Sequence, residues 1–258
     1  MSNILIIKHG SLGDLIQANG AIKDIKNFYK NRKVFLLTSQ PYAIFMSECP
    51  YIDGVIIDKR LPRWNLFYLH TLKKNLQRYN FSKVFDLQNS NRTKFYKKFI
   101  INKEVEWSSS ETALEPGQKK SDFDKDPVLE RMELQLKKSG IETDYTRNIN
   151  IDWAIKDVSR LIKQYANNEY ILLFPFCSKK HQNKKWPYFK ELIVKLKQDY
   201  KNKFPILVVP GPNEIKEANT FNAKVVTDDH DPVDLKTLIS LINNAKFILA
   251  NDTGPAHI

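Results

Sequence analysis

The polar residues of this chain that could do chemistry cluster where strand-like runs give way to helical ones. Ile4-Leu5-Ile6-Ile7 leads into Gly10-Ser11-Leu12-Gly13-Asp14 and an amphipathic helix, and Lys246-Phe247-Ile248-Leu249-Ala250 leads into Asn251-Asp252-Thr253-Gly254-Pro255. Glycines admit close backbone approach, and a helix start presents free N–H groups to phosphate or to a developing negative charge. Asp14 has two readings. It is either a first-turn carboxylate that favours the helix dipole by about 0.3–1 kcal/mol, or a general base that takes a proton from an acceptor hydroxyl. In the later turn, Asp252, Thr253 and Gly254 either cap a helix begun by Pro255 or line a crevice to which His257 adds a donor.

Two further strand exits carry polar groups. The stretch from Phe174 to Pro187 holds Ser178 and the lysines 179, 180, 184 and 185 ahead of Trp186-Pro187. Such a loop either neutralises a diphosphate or is simply solvated. Gly211-Pro212-Asn213-Glu214 places Glu214 near a ribose or near a helix dipole. No Ser-His-Asp order, HExxH, P-loop or EF-hand pattern occurs, which argues against hydrolase, zinc-protease and NTPase chemistry.

The elements that must position these groups alternate throughout. Apolar strand-like runs at 4–8, 34–38, 54–58 and 83–87 are separated by helical patterns at 12–29, 42–47 and 66–79. Residues 170–176, 206–209, 224–227 and 246–250 repeat the pattern with helices at 187–200, after Glu214, and at 234–243. Buried parallel strands joined by helices imply α/β units with doubly wound sheets. Residues 108–126 break the rhythm and read as a long mobile loop, a lid or a surface insertion; 130–138 is helical, and 148–153 is a crossing strand or a linker. The second half offers four strands where doubly wound nucleotide domains commonly carry about six, so that half is expected to be unfinished.

At 258 residues the chain is long enough for two ordinary domains, and 1–153 and 154–258 are the expected division. A formal charge of +12, from 41 Lys plus Arg against 29 Asp plus Glu, suits acidic partners such as nucleotide phosphates, phosphorylated glycolipid, anionic membrane or nucleic acid, or it is a lysine-biased surface without a partner. Dispersed lysines without a recognition motif count against nucleic acid. Cys49 and Cys177 belong to no metal or disulfide pattern, consistent with a reducing cytoplasm. Neither a signal-peptide core nor a membrane-length apolar run is present.

Residues 4–14, the Lys-x-Trp-Pro core of 178–187, Gly211 to Glu214, and Asn251-Asp252-Thr253-Gly254-Pro255-Ala256-His257, taken in order, resemble the signature of the heptosyltransferase family, glycosyltransferase family nine. The resemblance implies a GT-B fold, two Rossmann-like domains facing across a cleft, with the acceptor on 1–153 and the nucleotide sugar on 154–258. Members transfer heptose from ADP-heptose to the lipopolysaccharide inner core with inversion. By position, Asp14 matches the catalytic base, with Ser11, Leu12 and Gly13 in the acceptor-side loop. Lys184 matches the lysine on donor phosphate and Ser178 lies in the same loop; Gly211, Glu214, Asp252, Thr253, Gly254 and His257 fall on the donor side. The ADP-sugar is substrate, and no cofactor or metal is implied. The expected acceptor is an acidic glycolipid at the inner membrane face, which a cytoplasmic, peripherally bound enzyme would meet. Members continue beyond the AspThrGlyPro turn, so a truncated or degenerate nucleotide-binding relative without catalysis is the alternative expectation.

Overall fold

The alternation of runs resolves into two parallel sheets, one in each of two compact units, Met1–Ile151 and Asp152–Ile258. The computed structural model describes residues 2–167 and 169–258, with 179 and 180 as backbone only.

The first unit runs β1 (Asn3–Ile7), α1 (Leu12–Phe28), β2 (Val34–Ser39), α2 (Gln40–Ser47), β3 (Gly54–Asp58), α3 (Leu66–Gln77), β4 (Phe81–Asp86), α4 (Asn91–Phe99), β5 (Glu106–Ser108), α5 (Ser110–Ala113), α6 (Lys120–Phe123) and α7 (Val128–Lys138). The sheet order is β3-β2-β1-β4-β5 with every neighbouring pair parallel. All carboxyl ends therefore share one edge. Central β1 is covered on both faces: Ile4, Leu5, Ile6 and Ile7 have no exposed surface, each contributing roughly 1.5–3 kcal/mol by burial. The continuous apolar run is what such a position requires.

α1 packs close to the chain at Tyr145 and Thr146. A Cβ on Gly20 would stand 2.0 Å from the Tyr145 carbonyl oxygen, so only glycine admits the approach. The nearby Asp24 carboxylate accepts from Tyr145 N at 3.1 Å, Thr146 N at 2.8 Å and Thr146 Oγ1 at 2.7 Å.

The second unit runs α8 (Ser159–Tyr165), β6 (Ile171–Phe174), α9 (Phe189–Asp199), β7 (Ile206–Val208), α10 (Ile215–Ala218), β8 (Lys224–Val225), α11 (Leu235–Asn244) and β9 (Phe247–Ala250), with 3₁₀ turns at Asp152–Ala154, Lys179–Lys184 and Gly254–His257. Its order is β8-β7-β6-β9, again parallel. β6 is buried throughout, whereas β9 lies on the outside of the sheet with Phe247 and Ile248 partly in solvent.

The expected loop at 108–126 is a folded segment. Ser108, Ser109, Ser110 and Ala113 are buried and Phe123 has no exposed surface. Asn89 Oδ1 accepts from Ser110 N at 2.7 Å, and Lys94 pairs with Glu111 at 2.5 Å. Its polar composition hid the structure because the anchoring side chains are far apart in sequence. Residues 148–153 form no strand; a 3₁₀ turn closes them. α9 starts two residues after Pro187, and the helix after Glu214 is a single turn.

Candidate functional site

In the first unit the exit of β1 supplies Lys8, His9 and Gly10, and α1 starts at once. Gly10 has φ +100°, and a Cβ there would stand 2.4 Å from the Tyr42 ring, so both conformation and space demand glycine. Asp14, in the first turn of α1, accepts through Oδ2 from Ser11 N at 2.9 Å and from Ser11 Oγ at 3.1 Å. It thereby serves the helix start, as its place in the first turn implies. Its other oxygen, Oδ1, lies 3.5 Å from Lys8 Nζ, and 38% of the aspartate side chain stays exposed. Partial burial pushes the Asp14 carboxyl up, but Lys8 and the Ser11 donors outweigh it and hold it below the usual carboxylate range. The group is an ionised carboxylate open to solvent at the carboxyl edge of the sheet. Leu12 is half-buried and Gly13 buried beside it.

Lys8 itself is buried, and its ammonium donates to Leu87 O at 3.0 Å as well as facing Asp14. Burial lowers it below the ordinary lysine value, against the pull of Asp14. The signal for Lys8 was present in the sequence: a cation closing an otherwise apolar buried strand.

Beneath this edge lies a buried polar network that the sequence reading did not identify. His9 Nε2 lies 2.7 Å from Asp58 Oδ2, at the carboxyl end of β3. Asp58 also accepts from Tyr68 OH, from Tyr96 OH at 2.7 Å and from Arg60 N at 2.8 Å. Burial works to raise Asp58, yet His9 and these donors hold it at about 2. Arg92 donates to Tyr96 OH at 3.0 Å. The backbone around His9 is tied to two neighbouring strands: His9 N donates to Gln88 Oε1 at 2.9 Å, and Ser39 Oγ donates to His9 O. The network fixes the strand exit that carries Gly10 and Asp14.

In the second unit the buried Asn251, directly after β9, joins two strand exits. Its Oδ1 accepts from Trp186 N at 3.0 Å, its Nδ2 donates to Phe176 O at 3.2 Å, and its own N donates to Phe174 O at 3.2 Å. The lysine loop after β6 is thus seated beside the turn after β9. Lys184 Nζ lies 2.6 Å from Asp252 Oδ2, with 41% and 67% of the two side chains exposed. Lys184, first through its hydrogen bond and then its charge, holds Asp252 below the ordinary range, and His257 adds to the effect. Thr253 N donates to Asn251 O at 2.7 Å, and Gly254 opens the 3₁₀ turn to His257. Ser178 is exposed at the start of the Lys179–Lys184 turn. Trp186 packs edge-on against Phe189, centroids 5.2 Å apart.

In the loop that follows the neighbouring strand β7, Glu214 folds back: its Oε2 accepts from Gly211 N at 2.7 Å. Burial raises the Glu214 carboxyl despite that donor. Gly211 and Glu214 brace the strand exit. The structure therefore brings Lys184, Asp252, Thr253 and Ser178 onto adjoining loops, and Gly211 and Glu214 onto the next one along the same sheet edge. Among the described residues, no three His, Cys, Asp or Glu side chains gather as a metal ion would require, and no helix is long and apolar enough to cross a membrane.

The profile of glycosyltransferase family 9 (heptosyltransferase) matches residues 69–258 of the chain. Among solved structures, E. coli heptosyltransferase WaaC with ADP-2-deoxy-2-fluoro heptose is similar at a TM-score of 0.70 and 20% identity, over 99% of this chain and 84% of that one. A glycosyl transferase family 9 protein from Veillonella parvula gives 0.74 and 14%, over 99% and 76%. E. coli ADP-heptose lps heptosyltransferase II gives 0.61 and 15%, over 98% and 80%. No curated protein sequence matches the chain. The two doubly wound units and these likenesses agree on a GT-B fold.

Proposed function

The chain belongs to glycosyltransferase family 9, and on that basis we propose that it moves heptose from ADP-heptose onto an acidic glycolipid of the lipopolysaccharide-core type, with inversion at the anomeric carbon. In this reading the acceptor oxygen attacks the anomeric carbon from the face opposite the diphosphate. The bond from that carbon to the phosphate oxygen breaks with its electron pair, ADP departs, and the hydroxyl proton passes to Asp14. A single displacement of this kind needs no protein nucleophile.

The observation that carries the proposal is the state of Asp14: partly exposed, ionised, and fixed by Ser11 and Lys8 at the carboxyl edge of its sheet. A carboxylate of low basicity accepts a proton only as the attacking oxygen turns acidic in the transition state, which couples proton transfer to bond formation. On the donor side, Lys184 exchanges its exposed partner Asp252 for the donor diphosphate, and the backbone around Thr253 and Gly254 adds donors, so a divalent ion has no required role. E. coli WaaC has been solved with ADP and with an ADP-heptose analogue, which supports a nucleotide-sugar donor here.

The test pairs transfer with calorimetry. Asp14→Asn is expected to lower turnover by about 10²–10⁴-fold while ADP binds as tightly as to the wild type, and EDTA leaves turnover unchanged. Near-normal turnover in the variant would remove Asp14 as base. ADP binding without transfer by the wild type would instead favour the non-catalytic relative.

A further inference from the structure

The lysines are dispersed along the chain, but the net positive charge is not, because the acids avoid one stretch. Residues 59–103 contain twelve Lys and Arg and a single acid, Asp86, so this stretch carries +11 of the formal +12. Asp86 is buried and offers the surface no compensation.

The same stretch exposes large apolar side chains. Trp64 is 80% exposed, Leu66 75% and Phe67 82%, with Leu61 at 38% and Phe99 at 50%. They are held outward. Asn65 Oδ1 accepts from Tyr68 N at 2.9 Å and caps α3, so Leu66 and Phe67 ride on a fixed helix start. The Arg92 guanidinium donates to Leu61 O at 2.9 Å and Arg60 O at 3.2 Å, tying the 59–65 segment to α4. Arg63 stacks over the Phe95 ring at 5.6 Å, and that ring lies 4.8 Å from Phe99. The exposed cations Lys59, Arg60, Lys97 and Lys98 flank this apolar strip.

We propose that the 59–67 segment and the outer face of α4 form a docking surface for an anionic lipid bilayer. Indole, phenyl and leucyl groups enter the boundary between headgroups and acyl chains, and the surrounding Lys and Arg meet lipid phosphates. Leu61 and Leu66 have no π-face for a nucleobase, and within 59–103 no exposed acidic side chain alternates with the cations, while Glu111, which reaches α4 from outside that stretch, is taken up by Lys94, so charge and shape together select lipid. The segment leaves the carboxyl edge of β3, the same sheet edge that presents Asp14. Docking therefore brings a membrane-borne acceptor to the edge where the proposed base lies. That consequence rests on the transferase reading; the docking does not.

The experiment is flotation of the full chain with phosphatidylcholine vesicles, with and without phosphatidylglycerol. The expected result is binding to the anionic vesicles alone, weakened by salt, and lowered at least roughly tenfold in Trp64→Ser/Phe67→Ser, with the melting temperature and circular dichroism of that variant retained. Failure of the wild type to float, or flotation of the double variant as well as the wild type, overturns the proposal. So does an oligonucleotide that strips the wild type from vesicles and binds the double variant equally well, which would assign the surface to nucleic acid. Vesicle binding needs no donor sugar. A wild type that does not float yet transfers to a detergent-dispersed acceptor would sink the docking alone, whereas a wild type that floats without transfer would sink the transferase reading alone.

Discussion

Lys8 Nζ lies 3.5 Å from Asp14 Oδ1, the lysine side chain 5% exposed and the aspartate 38%. A buried cation thus looks out onto a solvated carboxylate and sets its basicity. Asp14 is depressed in the folded chain, so its ionised form is present above that lowered value and is lost as pH falls through it. Lys8→Met removes the charge that lowers Asp14, and the acid limb of kcat/KM is expected to move to higher pH. Lys8→Arg should keep the limb near its wild-type position. A pH profile in which Lys8→Met and wild type share one acid limb would remove Lys8 from control of Asp14.

The pair of Lys184 and Asp252 is exposed on both sides, and such pairs add little to stability. Its value is as a cation parked beside an anion site. Lys184→Ala is expected to raise the KM for the donor about 10–100-fold and to leave the thermal midpoint within about 1 °C. Donor titrations and thermal melts of the same samples check both halves. A fall in melting temperature with unchanged KM would make the pair a structural clasp.

The strands and the loops at their carboxyl ends were legible because a buried parallel strand must be continuously apolar and its exit must be polar. Ile4 to Ile7 and Ile171 to Phe174 satisfy that rule so closely that the strand exits at Gly10 to Asp14 and Ser178 to Trp186 could be placed from pattern. β5 and α4 escaped it. β5 is a three-residue edge strand, and α4 reads Asn-Arg-Thr-Lys-Phe-Tyr-Lys-Lys-Phe, with its two buried contacts, Thr93 and Tyr96, hidden among cations. The network of His9, Asp58, Tyr68 and Tyr96 was illegible for another reason. Its members come from four elements, and nothing in local spacing joins positions so far apart.

That network makes a prediction about stability. Against the cost of burial, His9 and the tyrosine and backbone donors hold Asp58 at about 2 in the fold, below the ordinary 3.8, a depression that corresponds to roughly 2 kcal/mol at neutral pH. The sign follows from a lowered carboxyl: the contribution is complete above about pH 4 and is lost as pH falls through about 2. Asp58→Asn is expected to destabilise the first unit at pH 7 and to close most of its gap to the wild type near pH 2. Urea unfolding of both proteins across this range provides the comparison, and a gap that stays constant with pH would show that Asp58 contributes by packing instead of charge.

Phe123 tests the segment that composition had marked as a mobile loop. Its ring has no exposed surface, and α6, which carries it, is a single turn with little stability of its own. The ring must therefore hold the 114–126 stretch to the unit, with help from the ion pair between Lys138 and Glu115 at 2.7 Å. Phe123→Ala is expected to cost about 3–5 kcal/mol if the cavity stays open, and less if α6 detaches to relieve it. Detachment has a separate signature. Limited proteolysis of the wild type should be confined to the exposed turn at Glu115, Pro116 and Gly117, whereas the variant should be cut throughout 114–126 while cuts elsewhere in the first unit stay rare. Equal cleavage of wild type and variant across 114–126 would mean that the burial of Phe123 does not order the segment.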